Sequence, residues 1–253
     1  MFLEERRQAI LTMVQQRGRV AVSDLSEHFG VSEVTIRADL QALADQGLVL
    51  RTHGGAIPAG YGLQELSLVR RRQQQVEAKN RIAEAASDYV GHGEAVFVDS
   101  SSTALAIVDH IKHRRDITVI TNSLVVAQEL LGLPNATVVM PGGTLHHDTA
   151  SLIDASGLAL LARYNIARGF FGAHGLTVED GLTDVSEPEA NLKRPIVGMC
   201  RHVVAVLDAT KWGRSGIASF ASVEDIDTVV TDEEAPKEMV AQVRDLGVDV
   251  ICV

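Results

Sequence analysis

The sequence predicts two joined folds: a mainly α, winged helix-turn-helix at the N-terminus and an α/β domain behind it. Three features point there. Apolar residues recur at helical spacing in three short blocks up to Leu43, and the pair Gly54-Gly55 then closes a small apolar hairpin. From Val76 onward, short apolar runs alternate with helical blocks.

In the first block Leu3, Ile10, Leu11 and Val14 form one apolar face, and Gly18 follows as a stop. A second helix spans Ser23 to Phe29, with Leu25 and Phe29 at i, i+4, and Gly30-Val31 makes a tight turn. Ser32 then caps a third helix, with Glu33 in its positively polarised first turn. Ile36, Leu40 and Leu43 line the buried side of that helix, and Gly47 ends it. Leu48 to Leu50, Arg51, Thr52, His53 and the glycine pair complete a domain over residues 1–57. Residues 58–75, with Pro58, Gly60 and Gly62 as breakers and the run Arg70-Arg71-Arg72, read as a linker.

Residues 76–253 read as the α/β domain. A helix over Val76–Tyr89 leads into strands at Ala95–Val98, Ile117–Ile120, Thr137–Met140, Ile166–Gly172, His202–Asp208, Thr228–Thr231 and Val248–Val253. The intervening helices run to Ile111 and Leu131, then over Glu187–Arg201 and Pro236–Gly247. Such alternation implies a mostly parallel sheet covered on both faces.

Composition narrows the classes. With 46% hydrophobic and 22% charged residues, the 253-residue chain has an ordinary globular balance rather than a disordered one. No apolar run approaches the roughly 18 residues a membrane span needs. Glu4, Glu5, Arg6 and Arg7 stand where a signal peptide would begin its apolar stretch, so a cytoplasmic protein is expected. Cys200 and Cys252 fit neither a disulfide framework nor a zinc ribbon, and both are expected to be buried thiols. Neither metal nor cofactor is anticipated. The net charge of −10 looks wrong for a partner of nucleic acid, but it is unevenly placed. Residues 1–81 carry 11 Lys/Arg against 9 Asp/Glu, and residues 82–253 carry 12 against 24. Bulk charge therefore does not nominate the first domain; only the placement of its arginines can.

That placement is suggestive. Leu25, Phe29, Val31, Ile36 and Leu40 supply the contacts that fix a helix crossing, while Glu33, Arg37 and Gln41 follow at i, i+4, i+8 on another stripe. A helix laid in the major groove of operator DNA would use such a stripe. Arg37 would fork onto guanine or phosphate, Gln41 would pair with adenine, and Thr35 would reach a phosphate or a thymine methyl. Ser32 sits at the same end, and Arg51 and His53 of the wing would approach backbone or minor groove. The same stripe also suits an ordinary solvated helix.

The stretch RRQAILTMVQQRGRVAVSDLSEHFGVSEVTIRADLQALADQGLVLRTHGGA resembles the N-terminal domain of the DeoR/GlpR-type family of bacterial sugar-metabolism transcriptional regulators. Val31, Ser32, Thr35, Ile36, Arg37, Asp39 and Leu40 meet the family's core pattern, and His53 to Ala56 meet its wing. Ala38 stands where many members carry a second basic residue, which weakens a phosphate contact or alters operator preference.

In the second domain Asp99, Ser100, Ser101, Ser102 and Thr103 follow a strand and open a helix, where hydroxyls and free backbone N–H groups suit an anion. Other strand ends repeat the theme with Thr121-Asn122-Ser123, with Gly142-Gly143, and with Gly172, His174 and Gly175. Taken singly, a serine-rich turn is as readily a helix cap. Lys193 and Lys211 are the cationic candidates, though either would serve as a surface lysine, and Trp212 reads as a packing anchor or a site neighbour. The resemblance extends across these segments and over nearly the whole chain. It implies a C-terminal domain similar to the ribose-phosphate isomerase and CoA-transferase fold, sensing a phosphorylated sugar or related metabolite. Departures are Ser101 for a glycine, which narrows or retunes the pocket, and the conservative Thr210 and Trp212.

The expected protein is thus a homo-oligomeric repressor of a carbohydrate-utilisation operon, with double-stranded operator DNA and a phosphorylated sugar as partners. The alternative is a sugar-phosphate isomerase carrying a DNA-binding or dimerising N-terminal domain. Isomerisation needs a base beside the substrate's acidic C–H. The loop Gly172-Ala173-His174-Gly175 has no carboxylate, leaving Glu179, Asp184 and Glu187 nearby in sequence.

Overall fold

The computed structural model describes residues 3–17, 20–46, 48–52, 54–58, 68–146 and 149–253. The chain divides into two compact units, Met1–Glu65 and Leu66–Val253.

The first unit contains α1 (Leu3–Arg17), β1 (Val20–Ala21), α2 (Val22–Phe29), α3 (Glu33–Asp45), β2 (Val49–Thr52) and β3 (Gly55–Pro58). Ile10, Val14, Leu25, Ile36 and Leu40 are fully buried in one core. Leu3 departs from the expected apolar face: it occupies the first turn of α1 and is exposed. Between α2 and α3 the chain reverses at Gly30, whose φ of +64° is a left-handed value that costs glycine no Cβ clash. Val31 N–H donates to the Ser26 carbonyl, and Ser26 Oγ donates back to the Val31 carbonyl, locking the turn. The wing is antiparallel, in the order β1-β3-β2. At two residues, β1 is too short to leave a pattern in the sequence. The expected stops Gly18 and Gly47, and the wing residue His53, lie outside the described residues.

The second unit runs α4 (Leu68–Gln73), α5 (Val76–Ser87), β4 (Ala95–Val98), α6 (Ser102–Ile111), β5 (Ile117–Thr121), α7 (Leu124–Leu130) and β6 (Ala136–Val139). After the short hairpin β7 (Leu145–His146) and β8 (Ser151–Leu152) come α8 (Leu158–Leu161), β9 (Ile166–Phe171), β10 (Gly175–Thr177), β11 (Gly181–Asp184) and α9 (Glu187–Val197). The chain closes with β12 (Val203–Val206), β13 (Ala218–Ala221), β14 (Thr228–Thr231), α10 (Lys237–Asp245) and β15 (Asp249–Cys252). Seven strands form a wholly parallel sheet in the order β15-β14-β12-β9-β4-β5-β6. Alternating side chains divide its core in two: Phe97, Phe171 and Ala205 face one layer, and Val96, Val98, Phe170 and Val206 face the other.

Two expectations change. Within residues 58–75, read as linker, Pro58 pairs with Val49 in the wing and Leu68–Gln73 is helical. Leu68 joins the core of the second unit, so that helix belongs to the folded domain. Cys252 is exposed rather than buried, because β15 is an edge strand and shows this position to solvent. Cys200 is half-buried, donates to the Ile196 carbonyl at 3.2 Å, and has its thiol pushed up to about 12 by burial.

Candidate functional site

Helix α3 is capped by Ser32, whose Oγ accepts the Thr35 N–H at 3.2 Å and shares a hydroxyl contact with Thr35 Oγ1 at 2.9 Å. Glu33, Arg37 and Gln41 are exposed and Thr35 is half-buried, which sets them on one solvent-facing side of the first unit. Each is held within its own helix: Arg37 Nη2 meets Glu33 Oε2 at 2.6 Å, and Gln41 Nε2 donates to Asp45 Oδ1 at 2.8 Å. An exposed i, i+4 ion pair is worth only a few tenths of a kcal/mol, about 0.3–0.5, so it yields readily to a better partner. Val34 was missed. It is 73% exposed and shares a face with Arg37, Ala38 and Gln41 at i+3, i+4 and i+7. An apolar residue off the buried stripe is the signal that marks it. Arg51 stands on β2 opposite Ala56.

Behind this face Asp39 is 1% exposed and accepts from Arg6 Nε at 2.6 Å and Arg7 Nε at 3.0 Å. The carboxylate thus fastens α1 to the inner side of α3.

In the second unit the candidates separate into three groups. Asp99, directly after β4, and Lys193 of α9 meet in the interior. Asp99 is fully buried and accepts from the N–H groups of Ser101 at 2.8 Å and Gly172 at 3.0 Å. Lys193 Nζ stands 2.9 Å from Asp99 and 3.0 Å from Asp184, and donates to the Gly172 carbonyl at 3.2 Å. Burial alone would push its ammonium down, but Asp99, Asp184 and Glu189 more than offset this and hold it above the ordinary lysine range. All three N–H donors of Lys193 have these partners, so it braces the turn and presents no charge to a ligand.

The second group stands apart from the cleft described below. Thr121 and Ser123 are fully buried: Thr121 Oγ1 accepts the Ser123 N–H within the turn, and Ser123 Oγ accepts the Val126 N–H as the cap of α7. Asn122 donates to Ser100 Oγ and to the Leu152 carbonyl. Gly142 and Gly143 form an exposed left-handed turn after β6. His174 N–H pairs with the Thr183 carbonyl, and Gly175 pairs with Thr183 in the small sheet β10-β11-β13. Of the acids weighed as catalysts, Glu179 and Glu187 are exposed and Asp184 is committed to Lys193.

The third group does converge. Ser101, Ser102, Thr103, Gly172 and Lys211 line a cleft of about 40 Å³, together with Asp208, Thr210 and four residues that sequence reasoning had not placed: Arg71, Gln74, Gln75 and Lys79. Ser101 Oγ caps α6 by accepting the Ala104 N–H, leaving the first N–H groups of that helix facing the cleft end. Gly172 is needed because a Cβ there would meet Ser101 Oγ at 2.3 Å. Lys79 is 6% exposed and donates to the carbonyls of Arg71 at 2.5 Å and Gln74 at 2.8 Å. Burial lowers its pKa to about 8, with Lys211 and Arg71 adding to the fall and Asp208 opposing it. An anion in the cleft would favour charged Lys79, whereas neutral Lys79 binds it less well. Affinity for a phosphomonoester should therefore fall as pH rises through about 8, with proton uptake on binding, as calorimetry in buffers of different ionisation enthalpy would read. An affinity unchanged from pH 7 to pH 9 would contradict this.

A winged helix-turn-helix unit with a solvent-facing second helix, joined to an α/β unit with a polar cleft, is the architecture of a ligand-responsive DNA-binding regulator. Residues 6–59 match the DeoR-like helix-turn-helix domain, and residues 74–233 match the DeoR C terminal sensor domain. The chain is 34% identical to the HTH-type transcriptional regulator GlpR of Haloferax volcanii, over 98% of this chain and 96% of that one. It is 30% identical to the glycerol-3-phosphate regulon repressor of Escherichia coli, over 95% of both. It is 31% identical to the putative aga operon transcriptional repressor of Escherichia coli O157:H7, over 98% and 93%. Ribose 5-phosphate isomerase A of Methanocaldococcus jannaschii aligns over 53% of each chain, at 15% identity and a TM-score of 0.40. The protein belongs to the DeoR family of transcriptional regulators. None of its described helices is long and apolar enough to cross a membrane.

Proposed function

We propose that this regulator represses a carbohydrate-utilisation operon and releases its operator when a phosphorylated sugar or related metabolite enters the cleft beside α6. The carrying observation is the meeting of Arg71, Lys79 and Lys211 with the capped start of α6 in one cleft. Cations and helix N-terminal N–H groups together suit a phosphoryl group. The names of the relatives, a glycerol-3-phosphate regulon repressor and a putative aga operon repressor, support the carbohydrate reading. Binding as a homo-oligomer in the cytoplasm, with paired reading heads set to operator spacing, completes the proposal. No catalytic step belongs to it: Asp208, the carboxylate lining the cleft, accepts from Thr210 N–H and Thr210 Oγ1.

Thermal-shift screening of the full chain against sugar phosphates tests the effector half, since a ligand of the native state raises apparent stability by mass action. A raised melting temperature with loss of the operator shift is expected for one class of phosphomonoester. Stabilisation by unphosphorylated sugars alone would overturn the phosphate reading, and efficient turnover of ribose 5-phosphate would revive the isomerase. For the DNA half, Arg37 and Gln41 read bases, Val34 meets a thymine methyl, and Ser32 and Thr35 face phosphate; Arg51 and His53 of the wing approach the backbone. Arg37→Ala should weaken operator binding by about 1–3 kcal/mol per lost base contact, roughly 5- to 150-fold in a gel shift. Unchanged shifts would misplace the reading helix.

A further inference from the structure

Helix α4 is the first described element of the second unit, and the chain runs from it back to the reading unit. At six residues it is far too short to persist without tertiary contacts. Leu68 anchors it in the core and it packs on α6, while Val69 on the same helix is 69% exposed. What α4 sends into the cleft is Arg71.

Arg71 is unusual among the cleft residues. Its Nε and Nη2 are shielded from solvent and make no hydrogen bond. Buried donors without acceptors cost free energy, so such a group marks either a strain or a binding role. The surroundings favour binding. Arg71, Lys79 and Lys211 face a single lining carboxylate, Asp208. A phosphomonoester dianion gains more from such a cluster of cations than a singly charged carboxylate or phosphodiester does. A guanidinium also presents parallel N–H groups that match two phosphoryl oxygens, which an ammonium cannot do. Lys79 meanwhile grips the C-terminal end of that helix and the residue after it, through the carbonyls of Arg71 and Gln74. One cation of the cleft thus holds the backbone of α4, while Nε and Nη2 of another have no hydrogen-bond acceptor.

We infer that Arg71 is the residue through which the occupied effector site acts on the chain leading to the reading unit. Its unpaired N–H groups close on the phosphoryl oxygens of the ligand, and this fixes α4 against α5 and α6. The ligand therefore binds better to the arrangement in which α4 is docked, and that difference in affinity is what shifts the population. This rests on the phosphate reading of the cleft proposed above.

Hydrogen exchange of the full-length protein, with inorganic phosphate as the probe, tests it. In the wild type, saturating phosphate should slow exchange several-fold over residues 68–79 and over residues 101–106. Arg71→Gln should bind phosphate about tenfold more weakly. At its own saturation it should protect residues 101–106 as the wild type does, showing a folded and occupied cleft, yet leave residues 68–79 unchanged. Arg71→Lys keeps the charge without the fork and should remain weaker than wild type by threefold or more. Arg71→Gln binding phosphate like the wild type, or protecting residues 68–79 when saturated, would overturn the inference alone. Arg71→Lys matching the wild type would overturn the two-oxygen contact. A wild type that takes up no phosphate would sink the effector reading itself, and Arg71 with it.

Discussion

Asp39→Ala is expected to cost the reading unit about 3 kcal/mol and to abolish operator binding at 37 °C, although Asp39 touches no exposed face. Its carboxylate is the shared partner of Arg6 and Arg7, whose side chains are 11% and 21% exposed. Removing one member of a buried ion pair strands the other charges, and this is costlier than never having made the pair, at about 3–5 kcal/mol when burial is complete. The arginines keep some solvent, so the lower end applies. A unit of this size has only a few kcal/mol in reserve. Two melting transitions in calorimetry, with only the earlier one shifted, would check the assignment. Because the defect is one of folding, cooling below the lowered transition should restore the gel shift. Arg37→Ala, which on the proposed reading removes a DNA contact and not the fold, should not recover on cooling. Recovery by neither variant would place Asp39 at the DNA instead.

Lys193→Met should be the most damaging single change in the sensor unit, at about 3–5 kcal/mol. Its 2% exposure and its two carboxylates at 2.9 and 3.0 Å leave Asp99 and Asp184 buried without a counter-ion once the ammonium is gone. Urea unfolding of the full chain would measure the loss as a lowered midpoint. The charge argument is checked by adding Asp184→Asn to Lys193→Met, which removes one stranded carboxylate. The double variant should be more stable than Lys193→Met alone, a coupling that simple loss of packing would not produce. Equal or lower stability would mean that the lysine's stem, rather than its charge, carries the site.

The architecture was legible in the sequence wherever local chemistry dictated it. Ser32 caps α3 and Gly30 turns the chain because each offers the backbone something few other residues do. The parallel sheet followed from apolar runs alternating with helices. What was not legible depends on contacts far apart in the chain. Lys193 reads as a site cation until Asp99, 94 positions away, and Asp184 are brought against it. Thr121 and Ser123 look like ligand hydroxyls, but Ser123 caps α7 and Thr121 accepts the Ser123 N–H in the turn before it. Arg71 and Lys79 fell on either side of an assumed linker boundary at residue 75, and only Leu68 sinking into the core shows that α4 belongs to the domain. The arginine run was visible from the start. Which of its three members turns inward was not.

Trp212 brings an optical handle to the molecule. It is the chain's only tryptophan, is 6% exposed, and donates from Nε1 to Thr231 Oγ1 at 3.0 Å. Its neighbour in the chain, Lys211, lines the cleft. All indole emission from this protein therefore comes from one buried, hydrogen-bonded position next to the place where the ligand is proposed to enter. Excited at the red edge of the tryptophan band, the unlabelled protein carries its own reporter, so effector titrations and stopped-flow rates need no dye and no DNA.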